Sequence, residues 1–353
     1  MKKISEDLEK IKPLRQVKFH PALKNTISEL SKLNMRITVT EETNFGTYDD
    51  LVPISEGNLE LLDEKICSYQ LNAKNGLENT TSSLVASYDE SINKFGALEG
   101  TGYLMSHALV YLWKREYLPI SMLCLYFFTK IGKKTNIPQC GIIVTDDIGY
   151  ASKRVYVNDK VNFLKENIIP DAETILFIDG PIIGGDWYVL MIRAVKEYFN
   201  EKKVIPIFIV KNSQSSIIVD SFPELNGKYN SDMHWAYSKL KNGERSSFFI
   251  YQDKINSDNA RVFCYLKPLR CPPLRIEFHP TTYHRYEGHI NTFLDMIYYL
   301  TLVQGDPKNM QVRPIAIAEK YARETARLFN LEKIIRSSHL IPTLNQERFG
   351  WTS

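Results

Sequence analysis

The sequence predicts an α/β protein built on a mixed β-sheet flanked by helices, with a helical N-terminal lead-in and further helices at the C-terminal end. Short turns join three apolar, β-rich runs, a pattern typical of an antiparallel meander: SLVASYDES (83–91), YLMSHALVYLW (103–113) and YLPISMLCLYFF (117–128). A strand–helix–strand unit follows, at 173–179, 186–203 and 204–210. Its continuous apolar strands indicate parallel pairing inside a covered sheet. This order of elements fits an RNase H-like core, although periodicity alone does not single that fold out.

The remaining segments are assigned from their spacing and composition. Leucine and isoleucine recur at helical spacing in the lead-in, and AKNGLENTTSS (73–83) has the composition of a loop at a junction. The other expected elements are a helix at 157–170, a strand or helix lead-in at 141–147, a less regular region at 211–260, strands at 261–269 and 274–280, and helices at 290–304 and 313–330. The predicted domains are a helical N-terminal region at 1–80, a catalytic domain at 81–335 and a tail at 336–353.

The charge balance limits how this protein engages a charged partner. The 353 residues include 44 Lys plus Arg and 41 Asp plus Glu, so the net charge is only +3. This excludes a polycation that binds nucleic acid through bulk charge, but it leaves room for a local basic groove. A total near zero is also compatible with a segregated surface, in which acids cluster at one centre and a basic channel leads to them.

The five cysteines are scattered and form no CxxC pair, so they indicate neither a disulfide framework nor a zinc ribbon. The first residues are charged and contain no apolar signal region. The longest nearly apolar run, 117–128, is too short to span a bilayer. We therefore expect a soluble, cytoplasmic protein.

Two acids end strands that are expected to be buried: Asp89 in VASYDES and Asp179 in LFIDGP. In an RNase H-like sheet these two strands lie side by side, so their ends can meet. Paired carboxylates there could hold Mg²⁺ or Mn²⁺ and support a two-metal phosphodiesterase. The alternative is structural, because Asp179 also begins a turn-prone DGP sequence and Asp89 could merely cap its strand.

A metal site of this kind needs a third acid. Glu166 is the only glutamate of the predicted helix that precedes the Asp179 strand, and it is the candidate. Its alternative role is a solvated surface charge. Asp146 and Asp147 are rivals, since they follow the apolar run IIVT and also lie at the end of an element.

Two further segments could contact a phosphate. Lys211 and the polar side chains of IVKNSQSS (209–216) follow a strand, where α/β folds place ligands, although an ordinary polar loop explains them as well. Arg275 and Glu277 share one strand face by period two, so they could pair with each other or join the acidic site.

Several other chemistries lack their motifs. GPIIGGDW (180–187) has no GK[ST] ending, which argues against an NTPase loop. There is no HExxH, and the spacing of His279, His284 and His289 fits neither one helix face nor one strand face, so zinc is not expected there. No G-x-S-x-G nucleophile elbow is present.

The order of these segments, over about residues 80–335, resembles the NurA-type nucleases, which act in DNA end processing beside the HerA hexameric translocase. The DGS-like strand end of that family is similar to VASYDES with Asp89, and its LLDG strand is similar to ILFIDGP with Asp179. The helix with Glu166 takes the place of the family's glutamate-bearing helix. The "vsKxS" element is similar to PIFIVKNSQS, with Lys211 and Ser213, and the R-x-E-x-P element is similar to RIEFHP (275–280).

The chain departs from the family pattern at three positions. Glu90 replaces the glycine after the first acid and adds a negative charge beside Asp89. In the closing motif QVRPIAIAEKYA, Gln311 stands where tyrosine is usual and Glu319 where histidine is usual. Glu319 could still serve as a carboxylate near the metal, or the site could be altered or weakened.

The resemblance implies a Mn²⁺- or Mg²⁺-dependent DNA nuclease with an RNase H-like core, a homodimer, and a HerA-like ATPase ring that feeds it DNA. It assigns the metals to Asp89, Glu166 and Asp179, a catalytic position to Lys211 and Glu319, and DNA contacts to Lys211, Ser213 and Arg275. The alternatives are a catalytically degenerate NurA-like subunit that binds DNA or supports assembly, an Argonaute-like slicer, and a metabolic α/β enzyme. The chain is short for the guide-anchoring domains of an Argonaute.

Overall fold

A single twelve-stranded sheet forms the centre of the molecule. The computed structural model describes residues 57–113, 116–131, 141–169, 173–306, 310–337 and 340–343. These residues all belong to one compact unit, Val39–Ser353. The strands are β1 (Gly57–Leu61), β2 (Ser68–Gln70), β3 (Leu84–Ala97), β4 (Gly100–Trp113), β5 (Glu116–Thr129), β6 (Ile142–Val144), β7 (Thr174–Asp179), β8 (Val204–Val210), β9 (Glu244–Ser246), β10 (Phe249–Asp253), β11 (Ala260–Lys267) and β12 (Leu274–Phe278).

Helices cover both faces of this sheet. They are α1 (Ala73–Ser82), α2 (Ile148–Asn167), α3 (Val189–Arg193, continued by a π-helix at Ala194–Phe199), α4 (Ile217–Ser221), α5 (Asp232–Lys239), α6 (Pro280–Arg285), α7 (Ile290–Gln304), α8 (Arg313–Arg327) and α9 (Leu331–Ser337). Short 3₁₀ turns precede α3 and α7, at Asp186–Tyr188 and Glu287–His289. Within the described residues, no helix is long and apolar enough to cross a membrane.

The strand order places the two predicted catalytic strands next to each other. The full path is β1-β10-β11-β12-β8-β7-β3-β4-β5-β6, with β2 and β9 attached beside β11. Strands β3, β4 and β5 are antiparallel, while β7 runs parallel to β3 and β8 runs parallel to β7. An antiparallel meander whose first strand pairs in parallel with the strands of a βαβ unit is the RNase H-like arrangement, so the predicted fold class is confirmed.

Each face of the sheet has its own apolar core. On one face, α7 and the start of α8 pack on side chains such as Val85, Phe177 and Ile209. On the other face, α2 and α3 pack on side chains such as Tyr88 and Ile178. Since β3 alternates between the two faces, Asp89 points toward the α8 side and Glu90 toward the α2 side.

Several element boundaries differ from the sequence-based prediction. Within the described part of the lead-in, Gly57–Leu61 and Ser68–Gln70 form strands rather than helix, and the rest of the lead-in, 1–56, lies outside the described residues. The predicted junction loop at 73–83 is instead the helix α1. Asn72 caps it by accepting hydrogen bonds from the backbone N–H groups of Lys74 and Asn75, and Asn75 Nδ2 donates to Asp295 Oδ2 of α7 at 2.7 Å. Helix packing and a cap therefore override the loop-like composition.

Helix α2 starts well before the predicted position of 157. Asp147 Oδ1 accepts a hydrogen bond from the backbone N–H of Tyr150 at 2.9 Å and so caps the helix. The predicted strand, helix and strand of the βαβ unit are confirmed as β7, α3 and β8, although the helix ends in a π-helical segment. The less regular region at 211–260 contains two short helices and two strands.

Candidate active site

Asp89 and Asp179 lie side by side on two parallel strands: Asp179 ends β7, and Asp89 lies within β3, one residue beyond the last residue that pairs with β7. The register pairs Tyr88 of β3 with Ile178 of β7, so the next residue on each strand is one of the two aspartates. Paired positions on parallel strands face the same side and are separated by about 4.8 Å between backbones. The sequence-based expectation that these acids meet is therefore correct.

Burial and like charge both act on Asp89. Asp89 is only 6% exposed, and its Oδ1 accepts a hydrogen bond from the backbone N–H of Glu90 at 2.8 Å. Burial, followed by the negative charges of Asp179 and Glu90, raises the pKa of Asp89 to about 8. Burial also raises the pKa of Asp179, against the opposing attraction of Lys211.

Lys211 joins the pair from the end of the neighbouring strand. Asp179 is in register with Ile209 of β8, and Lys211 lies two residues further on, facing the same side. Its Nζ is 2.6 Å from Asp179 Oδ2 and 4.0 Å from Glu319 Oε2. The predicted lysine is thus in place, at the centre of the acidic group.

Glu319 reaches the same site from helix α8. The start of α8 is fixed to β3, because Ser87 Oγ donates a hydrogen bond to the backbone oxygen of Pro314 at 2.7 Å. The Glu319 carboxylate accepts a hydrogen bond from Gln311 Nε2 at 2.6 Å and forms an ion pair with Arg323. The two departures from the family pattern in the closing motif therefore contact each other at this site.

Glu90 adds a carboxylate on the other face of β3. Its Oε2 lies 3.6 Å from Nζ of Lys160, which is 3% exposed, and its Oε1 accepts a hydrogen bond from the Tyr156 hydroxyl. Both partners are on α2. The extra charge of Glu90 was expected from the sequence, but these partners were not, because only the packing of α2 on the sheet brings Tyr156 and Lys160 to Glu90.

The structure does not bring Glu166 to the site, so its assignment as a metal ligand is wrong. Glu166 is exposed in the last turn of α2. The next residue, Asn167, accepts a hydrogen bond from Tyr111, which is paired with Ala86 near the start of β3. Glu166 therefore lies near the first residues of β3 and β7, whereas Asp89 and Asp179 lie where the pairing between these two strands ends. Of its rivals, Asp147 caps α2 and Asp146 is exposed.

Arg275 and Ser213 meet on the sheet face opposite Asp179. Arg275 is 5% exposed; its Nε lies 2.8 Å from Glu277 Oε1, and its Nη1 donates to Ser213 Oγ. Arg261 also pairs with Glu277, at 3.4 Å. The prediction that Arg275 contacts DNA is thus corrected, because its guanidinium is buried and forms an ion pair with Glu277. The alternative, that Arg275 pairs with Glu277, is confirmed.

This buried pair supports the loop that follows Asp179. Glu277 Oε2 accepts a hydrogen bond from the backbone N–H of Ile182 at 2.8 Å. Gly180, directly after Asp179, has a φ of 97°, which a residue with a Cβ adopts only under strain. The chain therefore bends directly after Asp179, as the DGP sequence predicted. Asp179 both begins this bend and contributes its carboxylate to the site.

The fold class is thus an RNase H-like mixed sheet, and two aspartates lie side by side on its adjacent parallel strands β3 and β7. Residues 161–323 match the NurA domain family. The resemblance found in the sequence is thereby confirmed, and this segment is of the NurA type. No curated protein matches the chain.

The solved structures to which this chain is similar include two NurA structures and an endonuclease V. The NurA nuclease from Sulfolobus solfataricus is 10% identical, with full coverage of both chains and a TM-score of 0.48. A NurA structure bound to dAMP and manganese is 8% identical and covers 70% of this chain and 88% of its own, with a TM-score of 0.36. Endonuclease V from Bacillus subtilis is 10% identical and covers 70% of this chain and 81% of its own, with a TM-score of 0.37.

Proposed function

We propose that this protein is a divalent-metal-dependent deoxyribonuclease that hydrolyses phosphodiester bonds by a two-metal mechanism. The observation that carries the proposal is the placement of Asp89 beside Asp179, with Lys211 and Glu319 in the same group. The NurA-type match over 161–323 supports it.

The residues present fit Mn²⁺ or Mg²⁺. Carboxylate oxygens are the hard ligands these cations prefer, and Asp89 and Asp179 present them on one face of the sheet. Within the described residues, no ion pair joins Asp89 to a basic side chain, so the carboxylate that forms when a metal displaces its proton has no direct basic partner. When bound, the metals supply Lewis-acid activation of water and stabilise the leaving oxygen.

The side chains around the pair would divide the remaining tasks. Asp89 and Asp179 hold the metals, and Lys211 orients Asp179 while offering a cation to the scissile phosphate. Glu319, held by Gln311 and Arg323, provides a third carboxylate from α8. Glu90 lies on the other face and is held by Lys160, so it tunes the charge behind Asp89 rather than contacting the substrate.

We propose that DNA approaches over an aromatic and basic surface beside the loop after Asp179. This surface, the Trp187 cluster, consists of Tyr150, Lys153, Arg154 and Trp187. The ring centroids of Tyr150 and Trp187 are 4.8 Å apart, and the Arg154 guanidinium lies 5.0 Å from the Trp187 ring centroid. Stacking rings next to cations are the elements that bind single-stranded nucleic acid.

The proposal includes a homodimer that works with a HerA-like hexameric ATPase in DNA end processing or defence. These partners come with the NurA resemblance and have no surface assigned to them. Co-purification with a HerA-type ATPase from the same source tests the partnership, and the absence of a complex at micromolar concentrations would contradict it.

A second function has one observation in its favour. Lys211 and Lys160 already neutralise Asp179 and Glu90, as expected in a catalytically degenerate subunit that binds DNA or supports assembly. In that case the carboxylates stabilise the fold and bind no metal.

The test is Mn²⁺-dependent degradation of linear DNA by the purified protein. We expect Asp89→Asn and Asp179→Asn to abolish degradation while the circular dichroism spectrum stays unchanged. Glu166→Gln is the matched control, a carboxylate removed from the opposite end of the sheet, and it should retain wild-type activity. Equal activity in wild type and both aspartate variants would overturn the nuclease proposal, and an inactive wild type that still binds DNA would favour the degenerate subunit.

A further inference from the structure

Three side chains with metal-ligating atoms lie together on the sheet face opposite Asp89. They are His107 of β4, Cys124 of β5 and Asp159 of α2, and a ring nitrogen, the thiol sulfur and a carboxylate oxygen all lie within 4.8 Å of one another. The register explains the first two, because His107 pairs with Met122 and Cys124 lies two residues beyond on the same face. Helix α2 packs over this face and adds Asp159.

The imidazole of His107 has one nitrogen engaged and one available. His107 is fully buried, and Nδ1 is 2.6 Å from the Tyr88 hydroxyl. Among the described residues, Nε2 is buried and has no hydrogen-bond partner. An unsatisfied buried polar atom carries an energetic cost that a ligand would relieve.

The surroundings orient both nitrogens. Tyr88 is on β3 and Cys124 is on β5, the two strands that flank β4 on opposite sides. The two nitrogens of an imidazole point in diverging directions, so with Nδ1 toward Tyr88, Nε2 points away from β3. In the tautomer whose Nδ1–H donates to the Tyr88 hydroxyl oxygen, Nε2 keeps the lone pair that can bind a metal.

Asp159 is oriented by a second tyrosine. Tyr126 donates a hydrogen bond from its hydroxyl to Asp159 Oδ2 at 2.7 Å, which leaves the other carboxylate oxygen available. Tyr126 is two residues after Cys124 on β5, so the strand that carries one ligand also holds another in place. His107 and Asp159 therefore each have a tyrosine partner. Hydrogen bonds of this kind orient metal ligands in proteins.

We propose that His107 Nε2, Cys124 Sγ and Asp159 form a binding site for a borderline-soft divalent cation of the Zn²⁺ class. Nitrogen, sulfur and one carboxylate oxygen suit Zn²⁺, whereas an all-carboxylate pair such as Asp89 and Asp179 suits Mg²⁺ or Mn²⁺. On binding, Cys124 loses its thiol proton to solvent and coordinates as the thiolate, with no change of oxidation state. Water completes the coordination shell. The site ties β4, β5 and α2 together and is independent of the nuclease proposal.

Cobalt substitution tests this site directly. Co²⁺ added to the purified, metal-free protein should produce a thiolate-to-cobalt charge-transfer absorption and the visible bands of tetrahedral Co²⁺, and equimolar Zn²⁺ should displace both. Cys124→Ser and Asp159→Asn should lose or strongly weaken these bands. Co²⁺ bound by the carboxylates of Asp89 and Asp179 gives no thiolate charge-transfer band, because neither side chain contains sulfur.

The control is Cys67→Ser, which removes another half-buried free cysteine. This variant should keep the full cobalt spectrum. Zn²⁺ should also raise the thermal midpoint of the wild type and of Cys67→Ser, but not that of Cys124→Ser. The proposal is overturned if wild type shows no thiolate band, or if the band survives in Cys124→Ser.

Discussion

Gln311 donates a hydrogen bond from Nε2 to Oε2 of Glu319 at 2.6 Å. These are the two positions at which the closing motif departs from the NurA pattern, where tyrosine and histidine are usual. The replacements are complementary, because an amide donor now meets a carboxylate acceptor, and Arg323 and Lys211 add positive charge around it. Glu319 is thus held in a defined position beside Asp179.

We expect Glu319→Gln to lower nuclease activity. The neutral side chain no longer attracts Lys211 and Arg323, so Lys211 loses one of its two anionic partners. The loss of an oriented charge at a catalytic group should reduce kcat/KM roughly 10- to 100-fold, or about 1.4–2.7 kcal/mol. Steady-state rates on a short DNA substrate measure this.

The control for this prediction is Glu324→Gln on the same helix. Glu324 is exposed and, in the part of the chain that the structure describes, pairs with Arg327 at the surface, at 2.9 Å. Its neutralisation should leave kcat/KM unchanged. Equal rates in the two variants would show that Glu319 has no part in the reaction.

The raised pKa of Asp89 predicts opposite effects of pH on stability and on metal binding. The folded protein holds a proton on Asp89 up to a pKa of about 8, compared with an ordinary value of 3.8. The folded state therefore binds more protons than the unfolded state between these values, so this group lowers the free energy of unfolding as pH rises from about 4 to 8. A metal must displace the same proton, so Mn²⁺ affinity should rise over pH 6–8.5.

Urea unfolding in the presence of a chelator checks the stability effect. The difference in unfolding free energy between Asp89→Asn and wild type should grow in favour of the variant as pH rises from 6 to 8.5. Glu166→Gln should show no such trend. A constant difference across this range would mean that the Asp89 carboxyl does not titrate there.

Trp187 should contribute to DNA binding through its ring. Trp187→Ala removes the face that stacks near Tyr150 and supports Arg154, and base stacking on an aromatic side chain is worth about 1–3 kcal/mol. Fluorescence anisotropy with a labelled single-stranded oligonucleotide should show binding weakened roughly tenfold or more. Phe329→Ala, at an aromatic residue that is 55% exposed and lies outside the Trp187 cluster, is the control. Unchanged affinity in Trp187→Ala would remove this surface from the DNA path.

The central pair was predictable from local sequence. Asp89 and Asp179 each follow a run of apolar residues, so the acids could be recognised, and the order of elements placed the two strands side by side. The predicted strand end at 91 was wrong, because β3 continues to Ala97. Lys211 followed from its position after a strand, and Glu319 followed from the resemblance. The outcome also refines the charge prediction: the acids do cluster at Asp89 and Asp179, while the basic channel remains a prediction.

The errors arose where tertiary context determines position. Glu166 was misassigned because the sequence does not show which end of the sheet the last turn of α2 reaches. The hydrogen bond from Tyr111 to the backbone oxygen of Asn167 places that turn beside the start of β3. The prediction that Arg275 and Glu277 share one strand face was correct. However, alternation alone does not reveal which side of the sheet that face is, and here it is the side away from Asp179.

The spatial group of His107, Cys124 and Asp159 had no sequence signal. Its members come from two strands and a helix and share no short spacing, so only the antiparallel register and the packing of α2 bring them together. The absence of a CxxC pair correctly excluded a zinc ribbon, but it does not bear on a site assembled from three separate elements.

Calorimetric titration of Mn²⁺ tests most directly whether Asp89 and Asp179 form a metal centre. The wild type should bind Mn²⁺ at pH 8 with a measurable heat. Asp89→Asn and Asp179→Asn should each lose that binding, and Glu166→Gln should retain it. Mn²⁺ binding that is the same in all four proteins would contradict the account.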